Sequence, residues 1–494
     1  MFFFYGLREN TIEIWADSFH EGEWCCDKIC EYAESAGYHT SKEFQYGFMP
    51  IYVIQYPDIT IKLEVYGSYS AWKNIPSKIS SLLKMGKPDF IAYSTEDDAI
   101  LFAVEETSAT MTGNQPTQRC ERQYGSAKNN IPFWYLVSEY GTHLDGGRRR
   151  DSIWPTIAAL KLTMHYNIPN LVLHYSAEDA PGDYSEGKGL DFLFSFLVVY
   201  LQGIFISSNK NILIECLEQQ YKEMLKFVES QWSNQIDFLP SLDKLKDSVT
   251  ANTLAYNALL GPDESPKAID SFLEWPTSNN IPDEYKANWH SSDLLTYNIF
   301  SERMEHDIDS GKCYILSRNS GSGKPAPEEK IIYFLEKQHE EFNKAAPLNP
   351  PAEYGFVLED FSRTVNGNYN FTTAKNILYL YDSWEDLKES IYDSFDRLNG
   401  RLDSINAGSA MVYVCNSLCP GRFLGDPFAG QITAYSLIFS RLNKDRRLLL
   451  AYYPHQSYTF FNRNNKGSRL LAEMADYALF AGGVLIKTST GEII

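Results

Sequence analysis

Two acidic residues sixteen positions apart, Asp89 and Glu105, carry the clearest chemistry in the chain, within the segment GKPDFIAYSTEDDAILFAVEET. Apolar runs at 89–93 and 100–105 flank the short acidic turn STEDDA, the pattern of two strands in an antiparallel hairpin. Such a hairpin starts one strand and ends the other at the same sheet edge, so both carboxylates arrive together. Paired hard oxygens of this kind suit Mg²⁺, with Mn²⁺ expected to substitute and water completing the shell. A cation held there orients a phosphate, offsets developing charge and activates an attacking water.

The flanking sequence supplies the elements that must position that pair. Residues 21–36 space Trp24, Cys25, Ile29, Tyr32 and Ala33 as one face of a helix, with Gly37 as the stop. Residues 58–66, DITIKLEVY, alternate apolar and polar as a half-buried strand. QPTQRCERQYGSAKNN reads as a helix with Pro116 in its first turn, although Gly125 weakens it. IPFWYLV and IPNLVLHY follow as strands, with the crossover helix WPTIAALKLTMHYN between them, a pattern that builds mostly parallel sheets. MFFFYGLREN is expected to be a first strand rather than a leader.

The order helix, three strands, helix, strand, with Pro88-Asp89 before Glu105, resembles the PD-(D/E)xK nuclease superfamily and its type II restriction endonucleases over residues 21–175. The resemblance implies an α/β fold, a restriction-endonuclease-like mixed sheet flanked by helices and followed by a second α/β region. It implies Mg²⁺ on Asp89 and Glu105. Thr107 stands where the family has lysine, so threonine would help place the water, or a lysine would come from elsewhere, Lys87 and Lys128 being nearest in sequence. Shifted by one residue, Glu106 and Ser108 give the same pattern, so Glu106 is the second candidate for the acid; strand alternation favours Glu105. Gln115, Gln118, Arg119 and Arg122 would contact or support a phosphate from the following helix, Gln118 and Arg122 lying on one face. Arg148 and Arg149, in the loop GGRRRDS, would clamp the backbone.

The expected activity is hydrolysis of double-stranded DNA by a sequence-specific, phage-defence type of restriction endonuclease, working as a homodimer because two strands need two sites. The alternative is a degenerate member that lost the lysine and serves as a nucleic-acid-binding or assembly module.

Composition sets limits on both. The 494 residues are 44% hydrophobic, ample for a packed core. Lys and Arg total 44 against 64 Asp and Glu, a net charge of -20, so DNA contact must be local rather than spread over the whole surface. Eight cysteines without a CxxC pair indicate neither a zinc site nor a disulfide framework, and a cytoplasmic location is expected. The apolar run 192–206 is too short to span a membrane and reads as a buried helix. A boundary is placed near Ser248, giving a catalytic domain over 1–248 and a recognition or assembly domain over 249–494. Polar loops are expected at 425–431 and 460–469. Asp58 and Glu64 sit too close for two strands and a turn. NSGSGKP lacks the first glycine of a phosphate loop.

Overall fold

A computed structural model describes residues 8–107, 119–139, 154–166, 168–176, 188–203, 210–232, 313–322, 359–363, 369–414, 430, 432–433, 436–437, 447–453 and 456–494. The boundary near Ser248 lies outside them, as do Gln115, Gln118, Arg148 and Arg149.

The chain opens with β1 (Arg8–Ala16) and α1 (Phe19–Ser35). Ser18 caps α1, its side chain accepting from the Glu21 N–H at 3.2 Å. The hairpin β2 (His39–Gln45) and β3 (Met49–Gln55) follows, then β4 (Ile59–Tyr66) and the short α2 (Ser77–Leu82). Next come β5 (Phe90–Ser94), β6 (Ala99–Thr107), α3 (Cys120–Lys128) and β7 (Phe133–Glu139). α4 (Trp154–Tyr166), β8 (Asn170–Ser176), α5 (Gly189–Gly203) and α6 (Lys210–Trp232) complete this half.

These strands form an eight-stranded mixed sheet in the order β2-β3-β4-β1-β5-β6-β7-β8. The β5–β6 hairpin is antiparallel, with Phe90 opposite Val104, as the sequence predicts. β6, β7 and β8 run parallel, joined through the crossover helices α3 and α4. The N-terminal strand enters the sheet among the antiparallel strands. β4 does not border β5, because β1 lies between them, parallel to β4 and antiparallel to β5. The reason is the N-terminal strand itself. Ile12, Ile14 and Ala16 are fully buried, and they bury best in the middle of the sheet.

Helices cover both faces. Phe102 and Trp134 point to one side, where Phe196 and Tyr200 of α5 meet them. α1 joins α5 on that face through Trp24 and Tyr32 against Phe194. Tyr135 points to the other side, beneath α3, where it lies beside Cys120, Arg119 and Arg122. Gly125 serves this face, since a Cβ there would meet the Met85 Cβ at 2.8 Å, so the helix sits closer than any larger residue permits.

The C-terminal half builds a second mixed sheet. It contains β9 (Cys313–Ser322), β10 (Glu359–Arg363), β11 (Tyr369–Tyr381), β12 (Ser409–Val414) and β13 (Arg447–Tyr453). β14 (Tyr477–Phe480), β15 (Val484–Lys487) and β16 (Glu492–Ile493) follow, with helices α7 (Trp384–Ser394) and α8 (Lys466–Met474). The strand order is β10-β11-β9-β12-β13-β14-β15-β16. The polar stretch expected to be a loop at 460–469 is irregular over 461–465 and opens α8 from Lys466, capped by Asn465, whose Oδ1 accepts from the Ser468 N–H at 2.7 Å. That helix docks on α3, with Lys128 paired to Glu473 at 2.6 Å and Lys466 to Glu121 at 3.6 Å. Residues of both sheets, among them Phe133, Tyr413 and Phe480, belong to one contiguous apolar core. No helix among the described residues is long and apolar enough to cross a membrane.

Candidate functional site

Pro88 and Asp89 are fixed before β5 begins. The Tyr69 hydroxyl donates to the Pro88 carbonyl at 2.7 Å, and the Asp17 N–H donates to the Asp89 carbonyl at 3.2 Å. Across the hairpin mouth, Asp89 Oδ2 accepts from the Glu106 N–H at 2.8 Å. The carboxylate expected at this sheet edge is therefore delivered to the end of β6, where two glutamates stand in succession and strand alternation sends them to opposite faces.

Glu105 faces α3 and is wholly buried. Its Oε1 is paired with Arg122 and lies 3.1 Å from Arg119 Nε. Arg122 also reaches to 3.7 Å from Asp89 Oδ1, so the two carboxylates expected to share a metal share this guanidinium instead. The ionic contacts do not align as hydrogen bonds, and both Glu105 oxygens lack a donor. Thr107 lies on the same face, in hydrogen-bond contact with Tyr135, and borders the cleft described next. Only 11% of the Arg122 side chain is exposed, because the buried Glu105 draws it inward.

Glu106 faces the other way, towards α1 and α5. It lines a cleft of about 580 Å³ together with His20, Glu21, Lys28, Asp89, Arg119 and Tyr175, and Glu105 and Thr107 of the same strand also border it. The Tyr175 hydroxyl donates to Glu106 Oε1. Burial, followed by the charges of Asp89 and Glu21, pushes the Glu106 carboxyl above the usual carboxylate range. Glu21 is pushed up in the same way by burial and then Asp89, and its Oε2 is buried with no hydrogen-bond partner. Asp89 is raised by burial, partly offset by Arg122 and the Glu106 N–H. Three mutually repelling carboxylates thus meet at one cleft, and among the described residues no Lys or Arg pairs with Glu21 or Glu106.

That charge pattern fits a small divalent cation better than the Glu105 side does. Among the described residues no group of three or more His, Cys, Asp or Glu is gathered tightly enough to enclose a metal. Mg²⁺ needs less, since one or two carboxylates suffice when water and a substrate phosphate fill the remaining positions. Asp89 is held by the Glu106 N–H and Glu106 by the Tyr175 hydroxyl, while Glu21 is held by Ser18 and leaves Oε2 without a partner.

The lysines named from sequence proximity lie elsewhere. Lys87 stands 3.9 Å from Asp17, and Lys128 is drawn to Glu473. The lysine that does line the cleft is Lys28, which pairs with Glu31 at 2.8 Å at its outer side. Sequence reasoning passed over Glu21, Lys28 and Tyr175. Glu21, Trp24, Cys25 and Lys28 follow the i, i+3, i+4, i+7 spacing of one helix face, a signal present in the chain. Glu64, too close in sequence to Asp58 to form the site with it, lies away from the cleft, in register with Glu13 of β1, whose carboxyl is raised by burial and to a smaller degree by Glu64. His174 is buried, and desolvation pushes its pKa down to about 3, which keeps it neutral.

Fold and site together define a mixed α/β chain with an acidic cleft at the edge of its first sheet. Comparison with protein-family models, with curated proteins and with solved structures gave no match.

Proposed function

We propose that the chain is a divalent-metal-dependent endonuclease that hydrolyses DNA phosphodiester bonds. The observation that carries this reading is the convergence of Glu21, Asp89 and Glu106 at one cleft, each carboxyl raised by burial, and Glu21 and Glu106 also by the Asp89 charge. Such an arrangement is unfavourable for the protein alone and is relieved by a cation. When bound, Mg²⁺ or Mn²⁺ supplies Lewis-acid polarisation of a phosphate oxygen and a more acidic water.

The chain's own groups divide the remaining work. Asp89 and Glu106 hold the cation, in place of the Asp89 and Glu105 pair favoured by strand alternation. The Tyr175 hydroxyl and the Glu106 N–H fix those two carboxylates. Arg119, with 29% of its side chain exposed at the cleft, and Lys28 supply positive charge for the phosphate. The raised pKa of Glu21 suits it to accept a proton from water at Oε2. Glu105 anchors Arg119 and Arg122 from below. A homodimer would place two such clefts on the two strands of a palindromic site, as in restriction and phage defence.

The test is supercoiled plasmid incubated with the full chain and Mg²⁺ or Mn²⁺. Cleavage by the wild type, abolished by Asp89→Asn and by Glu106→Gln with circular dichroism unchanged, supports the reading. No cleavage with either metal refutes it.

A second reading has its own support. Arg122 occupies the space between Asp89 and Glu105, and uncharged Thr107 stands at the lysine position. A degenerate nucleic-acid-binding or assembly module would keep both features, bind DNA in a mobility-shift assay and leave it uncut.

A further inference from the structure

The hairpin between β2 and β3 ends in the sequence Phe44-Gln45-Tyr46-Gly47-Phe48, and its three rings stand in solvent, 57%, 79% and 59% exposed. The Phe48 N–H donates to the Gln45 carbonyl at 3.2 Å, closing a tight turn whose central residues, Tyr46 (φ 54) and Gly47 (φ 77), are both left-handed. That is the sign pattern of a type I′ turn, whose first position favours Asn, Asp or Gly. Tyrosine is strained there, and its ring gains nothing from burial. A strained conformation that holds a bulky ring outward is a mark of function rather than of folding.

The turn shares an edge with the cleft. β3 pairs antiparallel with β4, β4 parallel with β1, and β1 antiparallel with β5, which puts the Tyr46 turn and Asp89 at the same end of the sheet. They are three strand spacings apart, roughly 14 Å. The Phe44 ring shares the α1 face, while the Tyr46 hydroxyl lies near that of Tyr66, which stacks on Trp15 on the opposite face. Lys42 Nζ lies 4.7 Å from the Tyr52 ring and 5.8 Å from the Phe44 ring, and the Tyr52 hydroxyl donates to Asp27 of α1 at 2.7 Å. α1 is the helix that lines the cleft through Glu21 and Lys28.

We infer that the hairpin is a stacking platform for locally unpaired bases of the DNA strand whose phosphate lies in the cleft. The inference rests on the nuclease reading for the strand's position. At about 3.4 Å per nucleotide, the gap corresponds to about four bases of a stacked strand. Stacking on ring faces needs no positive charge, which suits an acidic protein. A second copy of the chain is a poorer occupant. Even fully covered, three rings at roughly 150–250 Å² each fall short of the roughly 800 Å² per partner of a stable interface.

The experiment is fluorescence anisotropy of the full chain with a labelled phosphorothioate single strand of about 20 nucleotides, longer than typical single-strand site sizes, in Mg²⁺. Tyr46→Asn is the informative variant, because asparagine suits the left-handed position and removes the ring. Its unfolding midpoint should be no lower than wild type, while its affinity falls about tenfold, the scale of one lost base stack. Tyr46→Trp should bind as wild type. Unchanged affinity in Tyr46→Asn, or no binding of the strand by wild type, overturns the proposal. A shift from dimer to monomer in Tyr46→Asn by light scattering, without loss of strand affinity, also overturns it, assigning the rings to self-association. If Tyr46→Asn loses affinity but wild type leaves plasmid uncut, the nuclease reading falls and the stacking hairpin stands.

Discussion

At the end of β6 two adjacent glutamates meet opposite treatment. Glu105, beneath α3, is sealed from solvent and matched by Arg119 and Arg122. Glu106, beneath α1 and α5, opens on a cleft where its charged neighbours are Asp89 and Glu21. The first arrangement is a buried ion pair, whose geometry matters more than its net contribution to stability. The second keeps negative charges near one another at a cost, which is expected where a site is built for a ligand rather than for the fold. On the proposed reading, neighbouring positions on one strand separate support from chemistry.

The contrast breaks most sharply under mutation of the cleft side. Glu106→Gln and Asp89→Asn should each lower plasmid cleavage on the order of a hundredfold or more, the scale of losing a group that stabilises transition-state charge. Glu105→Gln, which keeps the shape of the α3 side, should lower it far less.

Mutation of the paired side should act on stability instead. Arg122→Ala leaves the buried Glu105 with Arg119 alone and should cost up to about 3–5 kcal/mol in denaturant unfolding. Arg122→Met combined with Glu105→Leu should recover most of that loss, because neither charge then remains to be desolvated.

Smaller effects sharpen the cleft side. Its carboxyls are raised in the folded state, so folded protein holds their protons more tightly than unfolded chain. Their favourable contribution is complete below the ordinary carboxylate range and is lost as pH rises from that range through the raised values. Glu106→Gln should therefore show a flatter fall of unfolding midpoint between acid and neutral pH, and a midpoint higher by about 2 °C at neutrality. Mg²⁺ should raise the wild-type midpoint, by about 2.7 kcal/mol of stability at a hundred times its dissociation constant, and leave Glu106→Gln nearly unmoved.

Local elements were legible wherever periodicity was strong. The spacing from Trp24 to Ala33 gave α1, the alternation of Ile59, Ile61, Leu63 and Val65 gave β4, and the acidic turn gave the β5–β6 hairpin. Strand order was less legible, because the place of β1 between β4 and β5 depends on pairings some fifty to eighty residues apart, which no local pattern encodes. The hairpin β2–β3 also escaped notice, its outer strand HTSKEFQ being mostly exposed and without an apolar face. At the site, alternation correctly opposed Glu105 to Glu106. It does not tell which face carries the cleft when helices cover both faces, and that choice is decided by Arg122 and Tyr175, each distant in sequence from one of the two acids.

Mn²⁺ binding to the full chain, followed by electron paramagnetic resonance of the free ion, tests the central claim most directly. The wild type and Glu105→Gln should take up the ion, and Glu106→Gln should lose that uptake. Uptake unchanged in Glu106→Gln, or lost only in Glu105→Gln, would contradict the assignment of the cation to the cleft.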